Sequence, residues 1–328
     1  MKGIGLTQFG GPEVLHSVTL DRPVCGEKQI LIRTEGVSVN YADLQTRRGT
    51  YHAGGTVFPV IPGLDAVGRI EEVGSAVTSG LKPGQRVIAF PHSGTYAEYV
   101  TADEALAFPI SEDIPLEQAI ACPLITFTSA MLLKKVAQLS AGEALVIHAA
   151  SGGIGTTVIQ MARQLGAAKI IGTVGSHRKS GAAMAAGADA VICLAEEDFP
   201  QRVLELTGGR GADVILNSLG GTYTNQGMNC LAPYGRMVVF GNASGSYSQL
   251  DTKLLHASCR SVRGFSIGST RKLRPSWFAD TAPDVLAAMT SGSIHIPIAA
   301  SFPLDEAAAA HALLETRTVT GKIILLAE

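Results

Sequence analysis

The chain is short of charge, of paired cysteines and of long apolar runs, and each shortage removes a class of protein. Only 16% of its 328 residues are charged, and the formal net charge is −2. The cations are scattered rather than gathered into a stripe, so no nucleic-acid partner is expected. The five cysteines, at positions 25, 122, 193, 230 and 259, are odd in number and widely spaced. That argues against a disulfide framework and for a reducing, cytoplasmic setting. No Cys-x-x-Cys pair or His-Glu-x-x-His occurs and the eight histidines are dispersed, so no metal site is expected. His148 reads as a filled core position. No apolar run approaches the length that spans a bilayer, and residues 1–11 hold no uninterrupted apolar segment, so no membrane contact is expected.

What the chain does have is 46% hydrophobic residues, ample for two buried cores. Residues 29–35, 66–73, 86–90 and 97–100 read as short strands. Gly and Pro close them repeatedly, as in Pro59-Val-Ile-Pro-Gly63, which predicts a compact, irregular β domain or barrel. From residue 116 the texture changes. Helical stretches at 116–121 and 126–138 lead into apolar strands at 144–148, 169–174, 190–193, 214–217 and 236–240, alternating with helices. Such strands predict a parallel sheet covered on both faces. Later come a helix near 283–290, an alanine-rich helix at 304–315 and a terminal strand at 322–326. No repeat and no low-complexity linker is present, so the tail is expected to return to the first domain.

The stretch Leu145-Val-Ile-His-Ala-Ala-Ser-Gly-Gly-Ile-Gly155 runs from a strand into a glycine-rich turn, and Thr156 to Leu165 continues as a helix. Ala150, Gly152 and Gly155 stand at the three small positions of a dinucleotide fingerprint. They serve a tight turn, close approach of backbone to a pyrophosphate, and packing of helix on strand. Ser151, Gly153 and Ile154 complete the loop, whose N–H groups and helix dipole favour phosphate. An NAD site carries Asp or Glu after the second strand. Here Gly175-Ser-His-Arg-Lys179 stands instead. Gly175, Ser176, Arg178 and Lys179 suit a 2′-phosphate, so NADPH is the expected cofactor.

The order of Val39-Asn-Tyr-Ala-Asp43, Arg48-Gly-Thr-Tyr51, Pro59 to Gly68, His148 to Gly155, Gly172-Thr-Val-Gly-Ser176 and Phe240-Gly-Asn-Ala-Ser-Gly245 resembles the zinc-independent quinone oxidoreductases, the zeta-crystallin-like branch of the medium-chain dehydrogenase/reductase superfamily. The likeness runs almost end to end. It implies an α/β protein: a GroES-like, β-rich catalytic domain built from residues 1–122 and 262–328, and a Rossmann domain with a doubly wound parallel sheet at 123–261. It also implies an active-site cleft between the domains and a homodimer. Asn217, Ser218, Phe240, Gly241 and Asn242 are implied as cofactor contacts, and Leu194 stands where some relatives place a tyrosine. At the places of the catalytic zinc ligands of the wider superfamily this chain has Asn40, Leu64 and Ile125.

Without a metal, the acceptor must already be electrophilic. A quinone or an α,β-unsaturated carbonyl needs only hydrogen-bond donors and an oriented, dry pocket. Asn40 and Tyr51 are the expected catalytic residues, the first through its amide donors and the second through a phenol able to deliver a proton. Asp43 reads as a structural residue that holds its loop, and Tyr96 as a packing residue. His52-Ala-Gly-Gly-Thr56 reads as a lid. The expected activity is NADPH-dependent quinone reduction. Reduction of enones or enoyl thioesters is the first alternative, and a crystallin-like cofactor-binding protein with little turnover is an alternative of another class.

Overall fold

The computed structural model describes residues 1–50, 56–92 and 94–327. Tyr51 and residues 52–55 of the expected lid lie outside the described residues. The chain forms two compact units, Met1–Ile125 joined by Arg274–Glu328, and Thr126–Leu273.

The first unit begins with a small antiparallel pair, β1 (Lys2–Gly5) and β2 (His16–Thr19). The main sheet then takes β3 (Gln29–Val39), β4 (Ala66–Val73), β5 (Arg86–Ala89), β6 (Tyr99–Asp103) and β7 (Ala107–Pro109). β3 is 11 residues long and pairs antiparallel with both β4 and β6, its register slipping at two places along β4. Such bulges bend a strand and let one sheet curl. Ile30, Ile32, Val37, Ala66, Ile70 and Val87 fill the enclosed side. The strand expected at 97–100 is displaced to Tyr99–Asp103, because it is placed by pairing with β3 rather than by its own alternation.

In the 126–273 unit, β8 (Ala144–Ile147), β9 (Lys169–Val174), β10 (Ala190–Cys193), β11 (Ala212–Asn217), β12 (Leu231–Val239) and β13 (Ser261–Gly264) form one parallel sheet in the order β10-β9-β8-β11-β12-β13. This is the doubly wound Rossmann order, with the direction of winding reversing beside β8. β8 and β11 are buried along their whole length, as strands covered on both faces must be. The helix Gly153–Gln164 turns Val158, Ile159 and Ala162 inward and leaves Arg163 outside. The unit continues past the boundary expected at 261/262, since β13 hydrogen-bonds to β12 and completes this sheet.

The tail returns to the first unit as β14 (Ile298–Pro303) and β15 (Lys322–Leu326). β15 lies antiparallel to β3, with Ile323 opposite Val39. That register sets Lys322 level with Asn40, a placement on which the site depends. The helix expected near 283–290 spans Ser276–Ser291 with Pro283 inside it.

Candidate active site

The expected cofactor residues gather at one edge. Ala150 to Gly155 follow β8, Gly175 to Lys179 follow β9, Asn217 and Ser218 lie at the end of β11, and Phe240 to Asn242 follow β12. All four are C-terminal ends of parallel strands, the edge where such sheets take ligands. Gly152 is the N-cap of Gly153–Gln164 and no side chain caps that helix, so its leading N–H groups face outward. A methyl group at Gly152 would meet only the Ala149 carbonyl oxygen, at 3.4 Å, and one at Gly175 would meet nothing within 4 Å. Both leave room for a ligand. The Ser218 hydroxyl is buried with no partner among the described residues, an orphaned polar atom that a ligand would satisfy. These features fit a dinucleotide.

Asn217 departs from its expected role. It is fully buried, its Nδ2 donates to Thr224 Oγ1 at 3.0 Å, and its Oδ1 accepts from the N–H groups of Leu219 and Gly220 at 2.9 and 3.0 Å. An amide so engaged fastens the turn after β11 and offers a ligand nothing. Its neighbour Ser218 is the available group.

In the first unit, Asn40 sits at the end of β3 as the N-cap of the helix Tyr41–Arg47. Its backbone N–H donates to Asp43 Oδ2 at 2.7 Å, and Asp43 Oδ1 accepts from Gly63 N–H at 3.1 Å. Asp43 thus ties two loops together, the structural role its sequence position suggests. The Asn40 side chain is committed as well. Lys322 Nζ donates to Asn40 Oδ1 and to the Val39 carbonyl, each at 2.7 Å. Asn40 Nδ2 faces Ser38 Oγ at 3.0 Å and Asp65 Oδ1 at 3.3 Å. Ser38 Oγ in turn meets both Asp65 oxygens at 2.9 Å, and the N–H of Leu124 donates to Asp65 Oδ2 at 3.1 Å. The flipped amide would set its NH2 against an ammonium, so this orientation is fixed by chemistry. Asn40 therefore departs from the expectation of two free amide donors: both hydrogens are spent inside the unit.

Asp43, Asp65 and Lys322 are all buried. Loss of solvent dominates each, pushing both carboxyls up and the ammonium down; attraction between Lys322 and the carboxyls works in the opposite sense, while Asp65 repels Asp43 and raises it further. Tyr96 is no mere packing residue. Its hydroxyl lies 3.3 Å from Asp43 Oδ2 and 3.0 Å from His311 Nε2. One phenolic hydrogen serves both contacts when His311 donates from Nε2 and Tyr96 donates to Asp43. No motif in the sequence marks Lys322, Asp65, Ser38 or His311. Lys322 and Asn40 stand 282 positions apart, and no local pattern links them.

Two histidines give the fold an acid limit. His148 lies against Thr173 Oγ1 at 2.8 Å, and burial lowers both it and His311 to about 3 from an ordinary 6.5. Below about pH 6.5 the unfolded chain protonates these rings and the folded chain does not. Stability is therefore present above pH 6.5 and lost as pH falls towards 3, by about 1.4 kcal/mol per pH unit for each ring. Asp43 and Asp65, raised by burial, contribute with the opposite sign over part of this range. The comparison with His148→Gln isolates the histidine. The stability gap between wild type and variant, from urea midpoints, should shift towards the variant on going from pH 7 to pH 4.5; a constant gap would refute the assignment.

Comparison with known proteins places this geometry. Residues 26–112 match the family model described as alcohol dehydrogenase GroES-like domain, and residues 153–282 the one described as zinc-binding dehydrogenase. Fold and matches together define a medium-chain dehydrogenase/reductase. A quinone oxidoreductase of Pseudomonas aeruginosa is 36% identical to this chain, covering 99% of each, and that of Sus scrofa is 32% identical over 99% of this chain and 98% of its own. The solved Escherichia coli quinone oxidoreductase complexed with NADPH superposes with a TM-score of 0.91 at 31% identity, over 99% of this chain and 100% of that one. The chain belongs to the quinone oxidoreductase branch of the medium-chain dehydrogenase/reductase superfamily. No helix among the described residues is long and apolar enough to cross a membrane.

Proposed function

We propose that this protein is an NADPH-dependent quinone reductase. The observation that carries the reading is the sheet edge: an uncapped helix N-terminus beside Gly175, Ser176, Arg178 and Lys179, with no carboxylate in that turn to repel a 2′-phosphate. Kinship with quinone oxidoreductases, one of them complexed with NADPH, supports it. Bound NADPH supplies the hydride. The 150–155 loop and its helix hold the pyrophosphate, Ser176, Arg178 and Lys179 hold the 2′-phosphate, and Ser218 with Phe240, Gly241 and Asn242 line the remainder. Asn40 fixes the start of the Tyr41–Arg47 helix and so positions the segment leading to Tyr51. Tyr51 donates the proton that accompanies the hydride. The cofactor residues belong to the 126–273 unit, and Asn40 and Tyr51 to the unit of residues 1–125 and 274–328.

Lys179→Ala should raise KM for NADPH by about 10-fold or more and leave KM for NADH nearly unchanged, the loss of one charge-assisted contact. Equal effects on both cofactors would remove the phosphate assignment. NADPH oxidation followed with a panel of quinones, enones and enoyl thioesters tests the acceptor. Turnover confined to the unsaturated carbonyls, or tight NADPH binding with no turnover, would overturn the quinone reading. No metal takes part in the hydride step, since Leu64 and Ile125 bear no ligand atom and Asn40 is spent on Lys322. Prolonged chelation should leave the rate unchanged; loss of turnover restored by zinc would contradict this. The protein is a cytoplasmic homodimer in this reading, and a sedimentation mass of a single chain would exclude the dimer.

A further inference from the structure

We propose that His177, Cys193 and Glu196 form a binding site for a thiophilic divalent cation of the zinc class, at the C-terminal edge of the sheet in the 126–273 unit. The three side chains bring an imidazole nitrogen, a thiol sulfur and a carboxylate oxygen within 4.8 Å of one another. No motif declares them, because the topology assembles them. β9 and β10 run parallel with Cys193 opposite Val174. The short helix His177–Lys179 that follows β9 and the turn that follows β10 therefore emerge side by side, above a thiol that closes β10.

The two Glu196 carboxylate oxygens each face one of the other ligands at a separation close to a coordination edge. His177 Nε2 lies 3.3 Å from Glu196 Oε2, and Cys193 Sγ lies 3.7 Å from Glu196 Oε1. A tetrahedral zinc ion with ligands at about 2.0 to 2.3 Å has nitrogen–oxygen edges of about 3.4 Å and sulfur–oxygen edges of about 3.6 Å. A mixed sulfur, nitrogen and oxygen set selects a borderline cation, whereas magnesium and calcium prefer oxygen alone. Thiolate and carboxylate together carry the two negative charges that a dication requires. On binding, the cation forms bonds to Sγ, Nε2 and a carboxylate oxygen, and the thiol proton leaves to solvent. A fourth position remains for water or an anion.

Exposure orders the site from floor to rim. Cys193 is fully buried, while the side chains of His177 and Glu196 are 58% and 61% exposed. The backbone that carries the sulfur is held in place. Cys193 N–H donates to Glu197 Oε1 at 2.6 Å, and Leu194 N–H to the Val174 carbonyl at 2.9 Å. Such support preorganises the ligand it surrounds. Among the described residues no other three His, Cys, Asp or Glu side chains meet in this way. His177 shares its turn with Ser176, Arg178 and Lys179, yet the site stands on its own geometry, whether or not that turn takes a 2′-phosphate.

The test is a cobalt(II) titration of the reduced, full-length protein, with the thiolate-to-cobalt absorption in the near ultraviolet as readout and zinc as the displacing ion. The band should grow to saturation at one cobalt per chain and be lost when zinc is added. Cys193→Ser should abolish it. His177→Ala and Glu196→Gln alter exposed side chains, so they decide the matter even where the buried serine variant fails to fold; each should weaken cobalt binding by about 10-fold or more. The proposal is overturned by a wild-type protein that develops no saturable band, by a band that survives in Cys193→Ser, or by both surface variants titrating like the wild type.

Discussion

Replacing Lys322 with Met is expected to lower folding stability by about 3 to 5 kcal/mol at pH 8, the cost of breaking a buried ion pair from one side. The ammonium is the donor to Asn40 Oδ1 and the Val39 carbonyl, and it offsets the charge of Asp65 and Asp43. Methionine fills a similar volume, so little of the loss comes from a cavity. The deficit should shrink on acidification. Lys322 holds the Asp43 and Asp65 carboxyls lower than burial alone would, so its removal raises them further above their unfolded value. A group raised in the folded state favours folding most below its unfolded pKa, near 4, and that advantage is lost as pH rises through the folded value. Urea midpoints should therefore differ more between wild type and Lys322→Met at pH 8 than at pH 5. A midpoint like that of the wild type at pH 8 would show that the network does not need its cation.

The second large effect separates two of the glycines in the 150–155 loop, Gly152 and Gly155. Gly155→Ala should destabilise the protein by about 2 to 4 kcal/mol, because a Cβ there would lie 2.5 Å from the Ala149 carbonyl oxygen and 2.6 Å from Ala150 Cα. Both are backbone atoms and cannot rotate away. Gly152→Ala meets only the 3.4 Å contact, so its thermal midpoint should remain within about 2 °C of the wild type. It should nevertheless lose NADPH affinity by about 10-fold or more, since the added methyl group occupies the approach of backbone to pyrophosphate. Equal thermal loss in both variants would mean that the loop glycines serve the fold alone. Unchanged NADPH binding in Gly152→Ala would move the pyrophosphate elsewhere.

The different behaviour of the two sites in sequence has a physical cause. The dinucleotide edge is legible because each contributing loop is contiguous: a buried strand, a turn of small residues and a helix start lie within about 20 residues of one another, as that supersecondary unit requires. The Asn40 environment is not. Val39-Asn-Tyr-Ala-Asp43 shows the capping acid three residues beyond Asn40, yet nothing local reveals Asp65 at the head of β4 or Lys322 from the returning tail. The sequence presents Asn40 as a free donor and Asn217 as a ligand contact, whereas tertiary partners occupy both amides. The cation site has the same origin, for His177 and Cys193 meet only because β9 and β10 are neighbours.

By itself, the sequence determined the local preferences of this protein: apolar runs that must be covered on both faces, small residues where backbone passes close to backbone, and a turn without the acid that would repel a 2′-phosphate. Tertiary structure decided which polar atoms remain for a ligand. A buried amide can satisfy each donor and acceptor only once, and partners drawn from distant strands claim them first.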